Sequence, residues 1–218
     1  MTKLSHSFSS LKMYENCPKR YYHQRVLKEV KDQGGEATIW GERVHKFLED
    51  RLAKATELPQ EVARYDPLCK SIIKLAEGGE LLVEQQLTLN EALETTSWFA
   101  KDAWMRSIVD VLVVQGAEAV MFDWKTGKRR PDFSQLELFA LQVFKHYPDV
   151  KRVRTSFVWL KDLSMDHEQY TRDDEPELWS RLMNKVVRVE KSLASDNWPA
   201  KPSGLCNWCP CKNFCEYV

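Results

Sequence analysis

The sequence predicts an α/β protein built on a mixed central sheet with helices against its faces. Three observations support this. Apolar residues recur at helical spacing in several segments, among them Trp40, Val44, Phe47, Leu48 and Leu52, and again Leu136, Phe139, Ala140, Val143 and Phe144. Short runs of β-formers, 81–89, 108–114, 119–125 and 153–160, lie between them. The two kinds of segment alternate along the chain rather than segregating, so helices must cover a shared sheet.

Taken in order, residues 7 to 30 read as a helix capped by Ser9 or Ser10 and broken or kinked at Pro18, and 31 to 37, with Gly34-Gly35, read as a loop. Helices are expected over 39–55 and about 67–77, the second ended by Gly78-Gly79. Strand character follows at 81–89, Trp98-Phe-Ala, 108–114 and 119–125; Gln115-Gly116 turns the last two into a hairpin that Thr126-Gly127 ends. A helix over 132–147 stops at Tyr147-Pro148, a strand follows at 153–160, and a long helix over 175–195 is entered through Asp173 or Asp174 and Pro176. The expected organisation is one domain over 1–218: a helical part at 1–80, a sheet core at 81–160 and a cysteine-rich tail at 198–218.

At 43% hydrophobic and 29% charged residues the composition is globular, and no apolar run approaches the ~20 residues that cross a bilayer. The start, Met1-Thr-Lys-Leu-Ser-His-Ser-Phe8, shows no hydrophobic segment behind a basic leader, so the cytoplasm is the expected location. Lysine plus arginine balances aspartate plus glutamate at 32 each. Any nucleic-acid surface must therefore be local, and the candidates are the run Lys125-Thr-Gly-Lys-Arg-Arg130 and the cluster Lys19, Arg20 and Arg25 interleaved with Tyr21 and Tyr22.

Within a strand, residues two apart share a face, so Asp123 and Lys125 project together while Trp124 points away. A turn at Gln115-Gly116 brings Asp110 of the preceding strand toward Asp123. Two carboxylates and a lysine amid apolar strand residues are costly to bury without a ligand, and Mg2+ or Mn2+ suits such oxygens. Glu84, in an apolar strand, is either a further carboxylate of this site or a solvent-facing charge.

Four of the six cysteines, Cys206, Cys209, Cys211 and Cys215, crowd the tail; Cys17 and Cys69 lie far away in sequence. Reduced thiols at these spacings read as metal ligands. Either the four tail thiolates hold one Zn2+, or Cys206, Cys209 and Cys215 join Cys17 around a [4Fe-4S] cluster. Spacing leaves both open.

Asp110 with Asp123-Trp-Lys125-Thr-Gly, then Gln135-Leu-Glu-Leu-Phe-Ala140, resembles the RecB-like branch of the PD-(D/E)XK nucleases. Gly41-Glu-Arg-Val-His45 resembles that branch's histidine motif, and Phe8-Ser-Ser-Leu-Lys-Met-Tyr-Glu-Asn-Cys17-Pro-Lys-Arg-Tyr21 its N-terminal segment. The resemblance implies a restriction-endonuclease-like core and a Mg2+- or Mn2+-dependent exonuclease acting on single-stranded DNA or DNA ends in recombination, repair or replication. It implies metal ligation by His45, Asp110 and Asp123, with the Trp124 carbonyl as a further oxygen, and catalysis by Asp110, Asp123, Lys125 and Gln135. The family often carries a tyrosine where this chain has Phe139, so any role of that hydroxyl is absent. Lys128, Arg129 and Arg130 would meet phosphates, and Tyr21 and Tyr22 could stack on unpaired bases. The spacing of Cys17, Cys206, Cys209 and Cys215 is similar to that of the iron-sulfur exonucleases of CRISPR adaptation and the AddB nuclease domain, which favours the cluster and leaves Cys211 extra. The competing expectation is a non-catalytic DNA-end-binding subunit of a larger complex; it predicts loss of the Asp or Lys positions, and all are present.

Overall fold

The computed structural model describes residues 4–32 and 34–217. The expected absence of a leader falls partly on Met1–Lys3, and the expected loop 31–37 and the domain's last residue partly on Gln33 and Val218; these positions lie outside the described residues. In chain order the elements are α1 (Phe8–Asn16), α2 (Pro18–Tyr21), α3 (Glu36–Lys54), α4 (Asp66–Leu75), β1 (Glu80–Leu89), β2 (Met105–Gln115), β3 (Glu118–Lys125), α5 (Ser134–His146), β4 (Arg152–Trp159), β5 (Ser164–Thr171) and α6 (Glu175–Ser195). They fall into two compact units, residues 34–176 and residues 1–33 together with 177–218.

The larger unit holds a five-stranded sheet in the order β1-β2-β3-β4-β5. Strands β1 to β3 form an antiparallel meander, β3 and β4 run parallel, and β5 returns antiparallel on β4. Parallel neighbours need a crossover, and α5 supplies it. Alternation along β3 divides its side chains between two faces. Val120, Phe122 and Trp124 join Val44, Leu48 and Leu52 of α3 and Cys69 and Ile72 of α4 in one core cluster, whereas Asp123 is hydrogen-bonded to Gln135 of α5 on the other side. The opposed directions of Asp123 and Trp124 match the sequence expectation.

Three local expectations are corrected. Trp98-Phe-Ala is no strand: it lies in a turn region with Phe99 88% exposed, because the segment pairs with no neighbouring strand there. The first helix does not run to residue 30 but ends in a π turn at Tyr22–Val26. The sheet gains a strand that hydrophobic patterning did not signal, since Ser164–Thr171 is an edge strand, polar and largely exposed.

In the smaller unit, Ser7 rather than Ser9 or Ser10 caps α1: its hydroxyl accepts from Ser10 N, and Ser10 Oγ accepts from Ser7 N. The helix breaks at Cys17, whose extended backbone is what a residue before proline favours. Both chain ends build this unit. Tyr14 donates its hydroxyl to the Arg188 carbonyl at 2.9 Å, Arg188 pairs with Glu15 at 3.0 Å, and Tyr21 and Tyr22 both stack on Trp198, at 5.9 and 5.2 Å between centroids. Among the described residues no helix is long and apolar enough to cross a membrane.

Candidate metal centre and active site

The site lies in the larger unit and follows from register. Gly116, with φ +56°, and Ala117 make a two-residue turn between the pair Gln115↔Glu118. The pairing continues to Val111↔Phe122, so the next positions, Asp110 and Asp123, face each other. Asp110 Oδ2 accepts the Trp124 backbone N–H at 2.6 Å, which fixes one carboxylate against the other strand. On the far side of β2, the pairs Val83↔Val111 and Gln85↔Val109 flank Glu84 and bring it level with Asp110.

His45 comes from α3. One turn before it, Gly41 lies against β3's exit: a Cβ there would sit 2.9 Å from Thr126 Oγ1. Glycine thus lets the helix come close enough for His45 Nδ1 to lie 3.3 Å from Asp110 Oδ1 and Nε2 to lie 3.1 Å from the Trp124 carbonyl. Ring nitrogen of His45 and carboxylate oxygens of Glu84 and Asp110 all fall within 4.8 Å of one another.

Asp123 belongs to a second, adjoining group. Its Oδ1 accepts from Gln135 Nε2 at 2.9 Å, its fully shielded Oδ2 is 2.5 Å from Lys125 Nζ, and Lys125 Nζ donates to Gln135 Oε1 at 3.0 Å. The ammonium also lies 4.9 Å above the Phe157 ring. Gln135, in the first turn of α5, therefore holds both the carboxylate and the lysine.

Electrostatics mark this cluster. Burial pushes Asp123 up to about 6, against the pull of Lys125, and burial with the Asp110 charge pushes Glu84 up to about 7. For His45, burial opposes the charged ring, but its hydrogen bond with Asp110 and the charges of Asp110, Asp123 and Glu84 prevail and raise its pKa. Asp110, Asp123 and Glu84 thus all favour the charged His45 ring. This is a donor set suited to a hard divalent cation, with histidine and carboxylate ligands converging from three elements.

Other expected residues divide. Lys128, Arg129 and Arg130 sit on the exposed loop after β3; Arg129 is already held, its Nε donating to Asp166 Oδ2 at 2.9 Å, where Trp159 Nε1 also donates at 2.7 Å. Tyr21 is corrected: it is 0% exposed, in the core of the smaller unit, and cannot meet a base there. Tyr22 is partly buried with its ring against Trp198, so stacking on a base would require that contact to open. In the same unit a cavity of about 310 Å³ is lined by Cys17, Cys206, Cys209 and Cys215. The Lys201 N–H lies 3.5 Å from Cys17 Sγ and the Ser203 N–H 3.2 Å from Cys206 Sγ. Cys211 is not among the lining residues; it is buried, and burial with the neighbouring Cys209 pushes its thiol up to about 12. Sequence reasoning missed the Gly41–Thr126 approach and the Arg129–Asp166 pair, both of which join residues remote in sequence.

A sequence model described as the PD-(D/E)XK nuclease superfamily matches residues 5–216. Among solved structures, a protein from Eubacterium rectale described as "Putative exonuclease" superimposes with TM-score 0.54 and 12% identity, over 95% of this chain and 88% of its own. At that identity the likeness shows the fold. A second structure, SSO0001, gives TM-score 0.44 and 12% identity over 99% of this chain and 88% of its own, too low to carry an argument. A search of curated proteins finds no match.

Proposed function

Because the chain belongs to the PD-(D/E)XK nuclease superfamily, we propose that it is a Mg2+- or Mn2+-dependent deoxyribonuclease of the RecB-like branch, an exonuclease that works on single strands or DNA ends. The observation that carries this reading is Asp110 facing Asp123 across the β2–β3 hairpin, with Lys125 against Asp123 and His45 against Asp110. A structural carboxylate pair would be expected to sit apart, not to share one buried corner.

His45, Asp110 and Asp123 would hold the cation, with the Trp124 carbonyl as a further oxygen. Such a cation stabilises charge on a phosphoryl group under attack and makes water acidic enough to act as the nucleophile. Lys125 would add a positive charge beside it: its ammonium, held by Gln135, would be placed to hydrogen-bond a water or a non-bridging phosphate oxygen. Gln135 fixes the lysine while it does so. Lys128 and Arg130, exposed on the adjoining loop, would meet backbone phosphates, and Arg129 would do so by leaving Asp166. With Tyr21 buried, base stacking lends the single-strand preference little, and the preference rests on the family resemblance.

We also propose that Cys17, Cys206, Cys209 and Cys215 hold a [4Fe-4S] cluster. Those four cysteines line one cavity and Cys211 does not, and this supports four thiolates around one group. End-labelled single-stranded, linear duplex and closed circular DNA, each with Mg2+, Mn2+ or EDTA, test the whole reading. Cleavage of linear substrates with either metal, none with EDTA, and little of the closed circle is the expected result. Metal-independent cleavage, or none of any substrate, would refute it.

A further inference from the structure

Asp123, Phe157 and Asp166 are register partners across three neighbouring strands, Asp123↔Phe157 between β3 and β4 and Phe157↔Asp166 between β4 and β5. Register partners share a face, so Asp166 stands on the same side of the sheet as Asp123 and, at the ordinary strand spacing, roughly 10 Å from it. Between them lies Phe157, with the Lys125 ammonium 4.9 Å and the Trp159 ring 6.0 Å from the centre of its ring.

A bare carboxylate in that place would repel the phosphates of an incoming strand, yet this one is engaged. Trp159 Nε1 donates to Asp166 Oδ2 at 2.7 Å and so sets its orientation. Arg129, from the loop after β3, grips it with two prongs: Nε donates to Oδ2 at 2.9 Å, and Nη2 donates to Oδ1. The same fork is the one by which a guanidinium takes two oxygens of a phosphate, and it cannot hold both anions. Exposure separates the partners: the Asp166 side chain is 17% exposed and that of Arg129 50%, so a phosphate can reach the guanidinium from solvent while the carboxylate stays against the sheet.

We propose that Asp166 is an internal competitor for the substrate's phosphate: it occupies the Arg129 fork in the free protein, and a backbone phosphate beyond the reacting one must displace it. The inference rests on the nuclease reading above and names what opposes the contact of Arg129 with DNA. Each such contact exchanges one anion for another on Arg129 and leaves Asp166 charged, so it strengthens the grip on DNA less than a free arginine would.

The test is to measure KM and kcat for an end-labelled single-stranded oligonucleotide, with Mn2+ at several salt concentrations, and to melt each protein. The proteins are the full chain and its Asp166→Asn, Arg129→Ala, Glu168→Gln and combined Asp166→Asn, Arg129→Ala variants. Asparagine keeps the shape of Asp166 and an oxygen for Trp159, so fold and kcat should be those of the wild type while KM falls about two- to fivefold, the scale of an exposed ion pair. The slope of log KM against log salt should steepen by up to about 0.7, the contribution of one phosphate contact on a single strand. Arg129→Ala should raise KM, and adding Asp166→Asn to it should bring no gain, since the effect runs through that arginine. Glu168→Gln, the same change of charge two residues along β5, should leave KM at the wild-type value. An Asp166→Asn protein that melts well below the wild type, or that keeps or raises its KM, would overturn the proposal and leave the nuclease reading standing, as would an equal fall in KM without Arg129 or in Glu168→Gln. A wild-type protein that cleaves no DNA would overturn both.

Discussion

Asp123→Asn should make the metal-free protein more stable while abolishing cleavage. Asp123 is 5% exposed, and burial raises its pKa from 3.8 to about 6 even with Lys125 opposing the rise. Because the folded carboxyl holds its proton more tightly than the unfolded one, the folded protein binds more protons between those values. Stability is therefore complete below about pH 3.8, falls as pH rises through 6, and carries the full cost at pH 7.5. At about 1.4 kcal/mol per unit, a shift of about two units is worth roughly 3 kcal/mol. The substitution removes that cost, and the attraction of Lys125 is already counted, since it opposes the rise. A gain of up to roughly 3 kcal/mol in a chain of this size raises Tm by at most about 6–12 °C. Thermal melts in EDTA at pH 7.5 should show that gain, and the gap should shrink at pH 4.5, where the wild-type carboxyl is protonated. Mn2+ at about 100 times its Kd should stabilise the wild type by roughly 2.7 kcal/mol and Asp123→Asn by much less. An Asp123→Asn protein that melts below the wild type at pH 7.5 in EDTA would refute the reasoning.

The other predictions concern single contacts. Asp110→Ala and Lys125→Ala should each abolish Mn2+-dependent cleavage with near-normal circular dichroism, since each removes a polar site group; wild-type cleavage in a clean preparation would sink the assignment. Gly41→Ala should weaken Mn2+ binding by displacing α3 from Thr126, and Thr126→Ala in the same background should restore it, because the clash is with that hydroxyl; failure of the rescue would point to another cause. After anaerobic purification, Cys17→Ser should lose iron and sulfide while Cys211→Ser keeps both, and the opposite pattern, or zinc alone in the wild type, would return the tail to the local zinc arrangement. Burial holds the His146 ring below its ordinary pKa, where it meets the Thr88 N–H at 3.0 Å. Its contribution is therefore present above about pH 6.5 and lost as pH falls below it, and His146→Gln should flatten the acid limb of the stability curve in that range, which melts in steps of pH would reveal.

Much of this was legible in one dimension. The two-residue period of a strand is a local property, so Asp123 and Lys125 on one face, with Trp124 on the other, followed from spacing alone. The Gly116 turn set the hairpin register and with it the meeting of Asp110 and Asp123. Helical periodicity likewise located α3, α5 and α6 to within a few residues. Edge position hid β5: a strand with one free edge and an exposed face needs no apolar alternation, so nothing in Ser164–Thr171 announces it. Tyr21 and Tyr22 showed the converse, since an aromatic side chain beside basic residues looks the same whether it awaits a base or packs on Trp198. Only tertiary structure could decide that Cys17 and three tail cysteines share a cavity without Cys211, or that Glu84 stands beside His45 and Asp110. Those choices depend on which residues distant in the chain are brought together by packing, and local spacing carries no record of them.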